Sequence, residues 1–132
     1  MRKAEIKRKT KETNIALSLN LDGEGKSSIS NPFGMLTHML EQISKHASID
    51  LNIKVEGDTE TGSHHVVEDT AIVLGEAFDK ALGDRAGIER MADSTVPLDE
   101  SLSMVAIDLA GRGYHSVEIL PSNQMGDFPT DM

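Results

Sequence analysis

The 132-residue chain contains no cysteine and no tryptophan, and only one tyrosine and three phenylalanines. Without cysteine there are no disulfides, no thiolate metal sites and no cysteine nucleophile, so any metal must rest on histidine and carboxylate ligands. With so few rings the core must be aliphatic, built from Ile, Leu, Val and Met. Apolar runs are short too, and none approaches the roughly 18 residues that a membrane span requires. Met1 to Arg8 is charged and is not followed by the apolar stretch of a signal peptide, so no targeting segment is expected and the location expected is cytoplasmic. Basic residues are also scarce. Thirteen against twenty-two acidic ones give a net charge of −9, which repels nucleic-acid backbones. Six of the thirteen basic residues cluster between Arg2 and Lys11, either as a solvated strand edge or as an anion-binding patch.

The chain length suits one compact domain, or one structural repeat and part of another. Asn14 to Leu21 alternates apolar and polar residues and predicts a half-buried strand with Ile15, Leu17, Leu19 and Leu21 on one face. Asp22-Gly23-Glu24-Gly25 reads as a turn, and Lys26 to Ser30 as the return strand of a hairpin. Met35, Leu36, Met39, Leu40 and Ile43 recur at helical spacing within Met35 to Ala47. Leu51 to Val55 alternates as a further strand. A second helix is expected from His64 to Leu82, with Ser63 placed to cap it and Gly83 to stop it. Residues 83–90 read as a connector, Leu102 to Leu109 and Tyr114 to Leu120 as a hairpin, and Pro121 to Met132 as loop. The class is α+β: an antiparallel-type sheet with two helices packed on one face.

The residues with the most chemistry form His64-His65-Val66-Val67-Glu68-Asp69. Positions i and i+4 of a helix lie nearly above one another, so His64 and Glu68 can reach one ion. His65 points about 100° further round, toward a second ion or toward Asp69 as an orienting partner. Imidazole with carboxylate suits Mn, Fe, Zn or Ni. The bland alternative is that the two histidines only solvate a helix start. His38, on the other long helix, can join this set, or can equally be an ordinary surface histidine; His46 and His115 have no motif around them. Arg90 and Arg112 follow glycine-containing turns, where a guanidinium can grip a phosphate, although surface arginines are common. Glu12, set among cations, has the chemistry of a general base or simply of a solvated strand end. No P-loop, dinucleotide-binding glycine pattern or nucleophilic serine elbow is present.

Taken in order, these segments resemble imidazoleglycerol-phosphate dehydratases. Arg8-Lys9-Thr10-Lys11-Glu12-Thr13 is similar to that family's R-x-T-x-E-T, Leu21-Asp22-Gly23 to its L-D-G turn, and His38-Met39-Leu40 to the end of its D-H-M-L motif. Gly57-Asp58 followed by His64 to Asp69 resembles its G-D and H-H-x-x-E-D block. Gly83-Asp84, Gly87-Ile88 with Arg90, Pro97 to Leu102, and Asp108-Leu109-Ala110-Gly111-Arg112 continue the match in order, so that it spans about residues 2 to 128.

The resemblance implies the ribosomal protein S5 domain 2-like repeat, with residues 1–93 as a first repeat and residues 94–132 as an incomplete second one, a strand hairpin and tail. It implies a homo-oligomeric shell with sites at subunit interfaces, and two Mn²⁺ per complete site. His38, His64, His65 and Glu68 would be metal ligands, Glu12 an acid/base residue, and Arg90 and Arg112 phosphate anchors. The expected activity is the loss of water from imidazole glycerol phosphate, a step of histidine biosynthesis, and no nucleic-acid or membrane partner is expected. Three departures stand out. Thr37 replaces the aspartate that usually precedes the ligand histidine, Gly62 replaces another before the histidine pair, and the second H-H-x-x-E block lies beyond the matched region. The alternative expectation is therefore a catalytically incomplete fragment acting as a metal-binding or oligomer-forming module.

Overall fold

A computed structural model of the chain describes residues 1–60, 62–118, 124–125 and 128–129. Two compact units divide between Gly83 and Asp84. The first contains strands β1 (Lys3–Lys9), β2 (Thr13–Asn20), β3 (Ser27–Ser30) and β4 (Asp50–Gly57) and helices α1 (Gly34–Ala47) and α2 (His64–Leu82). The second contains β5 (Met91–Leu98) and β6 (Ser101–Asp108), so the sequence division after residue 93 falls within β5.

The four strands form one sheet in the order β1-β2-β4-β3. Alternation explains how it packs. Register places Ile15 opposite Val55, Leu17 opposite Ile53 and Leu19 opposite Leu51, so three buried apolar pairs lie on one face. Ala4 from β1 and the partly buried Ile29 from β3 extend that face. Against it α1 packs Leu36 and Leu40, and α2 packs Val66, Val73, Ala77 and Ala81. The α+β layering with both helices on one face is therefore as expected, and the core is wholly aliphatic.

One pairing differs from expectation. Lys26 to Ser30 does not return along β2; β3 pairs with β4, and in parallel. The central position beside β2 goes to β4 because its full length supplies three buried partners, whereas β3 offers a single apolar side chain, Ile29. The sheet is consequently mixed. The turn between β2 and β3 is held by Asp50, whose Oδ1 accepts the N–H groups of Glu24 (2.9 Å) and Lys26 (3.1 Å), while Oδ2 accepts the Asn20 amide (3.2 Å). The backbone N–H of Glu24, then that of Lys26, hold the Asp50 carboxyl below its usual 3.8. A folded-state value lowered in this way gives stability that is complete above the ordinary carboxylate value and is lost as pH falls from there through the lowered folded-state value. We expect the thermal midpoint to drop as pH falls below about 4, and Asp50→Asn to flatten part of that slope in a pH series followed by circular dichroism.

α2 spans the expected residues, and Gly83 ends it with a positive φ of 59°, its N–H donating to Asp79 O (3.2 Å). Ser63 precedes the helix but does not cap it with its side chain. At φ −90° and ψ −8° it is already helical instead of extended, so its hydroxyl is not aimed at the orphan N–H groups of the first turn.

In the second unit the hairpin is formed one strand earlier than expected. β6 pairs with β5 from Met91↔Asp108 to Leu98↔Ser101, and Tyr114 to Glu118 forms no strand; Ile119 and Leu120 lie outside the described residues. Pro97 argues against a strand, yet it lies near the end of β5 in a two-stranded ribbon, where a missing donor costs little. Of the tail, expected to be loop, the described residues form the short antiparallel pair β7 (Gln124–Met125) and β8 (Phe128–Pro129), which belongs to the first unit. No helix of the described residues is long and apolar enough to cross a membrane.

Candidate metal and acid–base corner

The end of the sheet where β4 finishes gathers most of the residues singled out by their chemistry. Thr13 opens β2 opposite Gly57, the last residue of β4, so the β1–β2 turn carrying Glu12 and the loop leading into α2 lie at the same end. The parallel β3-α1-β4 crossover brings the start of α1, with His38, toward that end as well. The first turn of α2 then presents His64, His65 and Glu68.

Gly57 allows the close approach. A Cβ there would lie 2.6 Å from Val66 Cγ2 and 3.2 Å from Thr13 Cγ2, and Val66 is fully buried, so it cannot yield. Gly57→Ala should therefore push the first turn of α2 off the sheet and lower stability by roughly 1–3 kcal/mol, read as a shift in the urea unfolding midpoint.

Within the first turn of α2, His64 Nε2 lies 3.4 Å from Glu68 Oε2, and both side chains are more than half exposed. The i,i+4 spacing thus brings a nitrogen and an oxygen donor together. His65 turns the other way, with Nδ1 3.3 Å from Asp58 Oδ2, and its ring meets that of His64 edge-on at a centroid distance of 5.6 Å. Of the two alternatives open for His65, the partnership with Asp69 is not the one observed. Asp69 points into the core, where it takes the Thr13 hydroxyl at 2.5 Å and Arg8 Nε at 3.2 Å. Hydrogen bonds from Thr13 and Arg8 hold its carboxyl below the usual range against the opposing effect of burial. Asp58 is the carboxylate beside His65 that helical spacing did not reveal; its signals were its place directly after a strand and the match of Gly57-Asp58 to the G-D pattern.

Glu12 is exposed, and its backbone carbonyl accepts the Asp58 N–H at 3.0 Å. Asp58 thereby ties the Glu12 turn to His65. His38 is exposed on α1. Beside it Thr37, the residue standing where an aspartate was expected, is occupied locally: its hydroxyl accepts from Asn31 Nδ2 (2.8 Å) and donates to Phe33 O (3.3 Å). Among the described residues no three His, Asp or Glu side chains converge as a ready cation cage.

In the second unit Arg90 forks onto Asp108, with Nε to Oδ1 at 2.6 Å and Nη2 to Oδ2 at 2.9 Å. The Arg90 guanidinium, and to a lesser degree the charge of Arg112, hold the Asp108 carboxyl below its usual range. Arg90 is therefore engaged by a carboxylate at the end of β6.

The imidazoleglycerol-phosphate dehydratase family profile matches residues 32–132. A relative named imidazoleglycerol-phosphate dehydratase from Dehalococcoides mccartyi is 51% identical over 132 residues, covering 99% of this chain and 66% of that protein. One of the same name from Xanthobacter autotrophicus is 53% identical over 114 residues, covering 86% and 58%. The crystal structure of imidazoleglycerol-phosphate dehydratase from Staphylococcus aureus superposes with a TM-score of 0.84 at 31% identity, covering 98% of this chain and 71% of that one. The fold is thus the ribosomal protein S5 domain 2-like repeat. The chain spans about two thirds of the length of the Dehalococcoides mccartyi relative. With matches of this extent and identity, the chain belongs to the imidazoleglycerol-phosphate dehydratase family.

Proposed function

We propose that the chain takes part in eliminating water from imidazole glycerol phosphate to give imidazole acetol phosphate, a step of histidine biosynthesis, at a Mn²⁺ site. The observation that carries this reading is the corner where the Glu12 turn, Asp58 and the first turn of α2 are tied together by hydrogen bonds. The donor set fits the metal. His64 Nε2 and Glu68 Oε2 are 3.4 Å apart, a separation that two bonds of roughly 2.1 Å to one ion can span, and imidazole with carboxylate suits Mn²⁺ in the absence of any thiolate. His38, His64, His65 and Glu68 would hold it. When bound, Mn²⁺ supplies positive charge that stabilises negative charge developing on the substrate.

The chain's own groups account for the rest. Glu12 removes the carbon-bound proton as a carboxylate base and, now a carboxylic acid, delivers it to the hydroxyl on the neighbouring carbon, which leaves as water, and the enol so formed tautomerises to the ketone. Asp58 holds His65 in one ring orientation. Arg90 and Arg112 bind the substrate phosphate, which competes with Asp108 for the Arg90 fork. The outward presentation of His38, His64 and Glu68 suits completion of the metal set by a second copy of the chain, as closed homo-oligomers allow.

The test is turnover of imidazole glycerol phosphate with Mn²⁺ by the chain and by Glu12→Gln. Loss of a general base lowers the rate by roughly 10²–10⁴-fold, and Mn²⁺ affinity stays unchanged. An unaltered rate in Glu12→Gln overturns the role of Glu12. Tight Mn²⁺ binding with no turnover by the unmodified chain favours a metal-binding module instead.

A further inference from the structure

We infer that Asp69 is a positioning residue: its buried carboxylate latches the β1–β2 turn to the histidine-bearing turn of α2 and so sets where Glu12 stands relative to the metal ligands. The inference rests on the function proposed above for Glu12 and the histidines, but its geometry stands by itself.

Asp69 is 8% exposed, and its carboxylate is met by three side chains of the β1–β2 region. Its Oδ2 takes the Thr13 hydroxyl at 2.5 Å, and its Oδ1 takes both Nε (3.2 Å) and Nη2 (3.1 Å) of Arg8. Thr10 completes the arrangement. Its hydroxyl oxygen accepts the N–H groups of Glu12 (3.1 Å) and Thr13 (2.9 Å), which leaves its one proton to donate. That proton goes either to Asp69 Oδ2 at 3.4 Å or to Thr13 Oγ1 at 3.1 Å, and the Thr13 hydroxyl itself ends on Asp69. Both routes terminate at the same carboxylate.

The Glu12 peptide is therefore held from both sides. Its N–H is fixed through Thr10 to Asp69, and its C=O takes the N–H of Asp58, whose carboxylate meets His65. The ring of contacts closes through the turn of α2 between His65 and Asp69. Movement of the Glu12 turn relative to the histidines must break a charge-assisted hydrogen bond in a buried setting, which is why a carboxylate suits this position better than an amide. An asparagine here keeps the volume but turns an NH₂ group toward either the guanidinium or the threonine hydroxyls, which are donors already.

The test uses the ¹⁵N-labelled chain, Mn²⁺ alone as the probe, and amide hydrogen exchange. In the unmodified chain, sub-stoichiometric Mn²⁺ should broaden the amide signals of His64 to Glu68 and those of Lys11 to Thr13 together. In Asp69→Asn the first group should still broaden and the second should lose most of its broadening. The Glu12 and Asp58 amides should exchange at least roughly tenfold faster, with Leu17 and Leu51 unchanged. Thr13→Val should act like Asp69→Asn, and Thr13→Ser, which keeps the hydroxyl, should restore the original pattern. Unchanged broadening and exchange in Asp69→Asn and Thr13→Val overturn the latch, and so does an equal acceleration at Leu51, which marks a general structural role. If Mn²⁺ broadens nothing in the unmodified chain, the metal reading fails, while the exchange of Glu12 and Asp58 still decides the latch.

Discussion

Mn²⁺ affinity should fall by more than roughly 100-fold when His64 and Glu68 are both replaced by alanine, because orienting partners alone are worth 10–100-fold and direct ligands are worth more. The geometry makes this a graded prediction. His64 and Glu68 form one nitrogen–oxygen pair on the outer side of the helix turn, 3.4 Å apart and open to solvent. Removing both leaves an ion with His38 and with His65, whose ring is turned toward Asp58. Asp58→Asn keeps the shape of that carboxylate and its place beside Glu12 but removes the charge that orients the ring, so a smaller loss, roughly 10-fold, is expected. His46, at 3.0 Å from Gln42 on α1, is the internal control, and His46→Ala should leave affinity unaltered. Isothermal titration with Mn²⁺ orders the four proteins. Equal affinity in the double variant and the unmodified chain would remove the metal role from this turn.

The parts of the corner differ in how far sequence reveals them, and the reason is whether the determining contacts are local. His64 with Glu68 is a helical neighbour pair, and helix periodicity over His64 to Leu82 was enough to place it. Strand β2 was equally clear, because Ile15, Leu17 and Leu19 must face one core. β3 was misplaced because its partner is decided by competition. A four-residue strand with one apolar side chain cannot displace β4, which buries Leu51, Ile53 and Val55 against β2, and that comparison involves residues far apart in sequence. β5 was missed since Pro97 and the polar run Asp93-Ser94-Thr95 interrupt the pattern of an otherwise paired strand. Of the two alternatives that spacing leaves open for His65, the pairing with Asp69 fails for a related reason. Spacing of four offered Asp69, but the buried side of the helix claims Asp69 for Thr13 and Arg8, and the orienting carboxylate comes from the loop after β4. Adjacent positions on one helix turn thus divide between the exposed side and the core, a division set by which face meets the sheet.

Leu51→Ala should be the most destabilising single truncation in the core. Leu51 is fully buried in β4, paired with Leu19 on one side and Ser27 on the other, at the point where the sheet is widest. The residues buried around it are aliphatic and close-packed, so the cavity stays largely open. The expected loss is about 3 kcal/mol, and for a unit of this size a fall in thermal midpoint of roughly 10–20 °C. Ala16→Ser on β2, exposed on the opposite face of the same sheet, should change stability by less than about 0.5 kcal/mol. Urea unfolding of the three proteins measures both effects, and similar losses at the two positions would contradict the one-sided core. The consequence reaches the functional corner, because β4 is the strand that ends on Gly57 and Asp58. Weakening its central packing should loosen the Asp58 to Glu12 contact before the sheet itself unfolds, so the Asp58 amide should lose exchange protection more than that of Ile15.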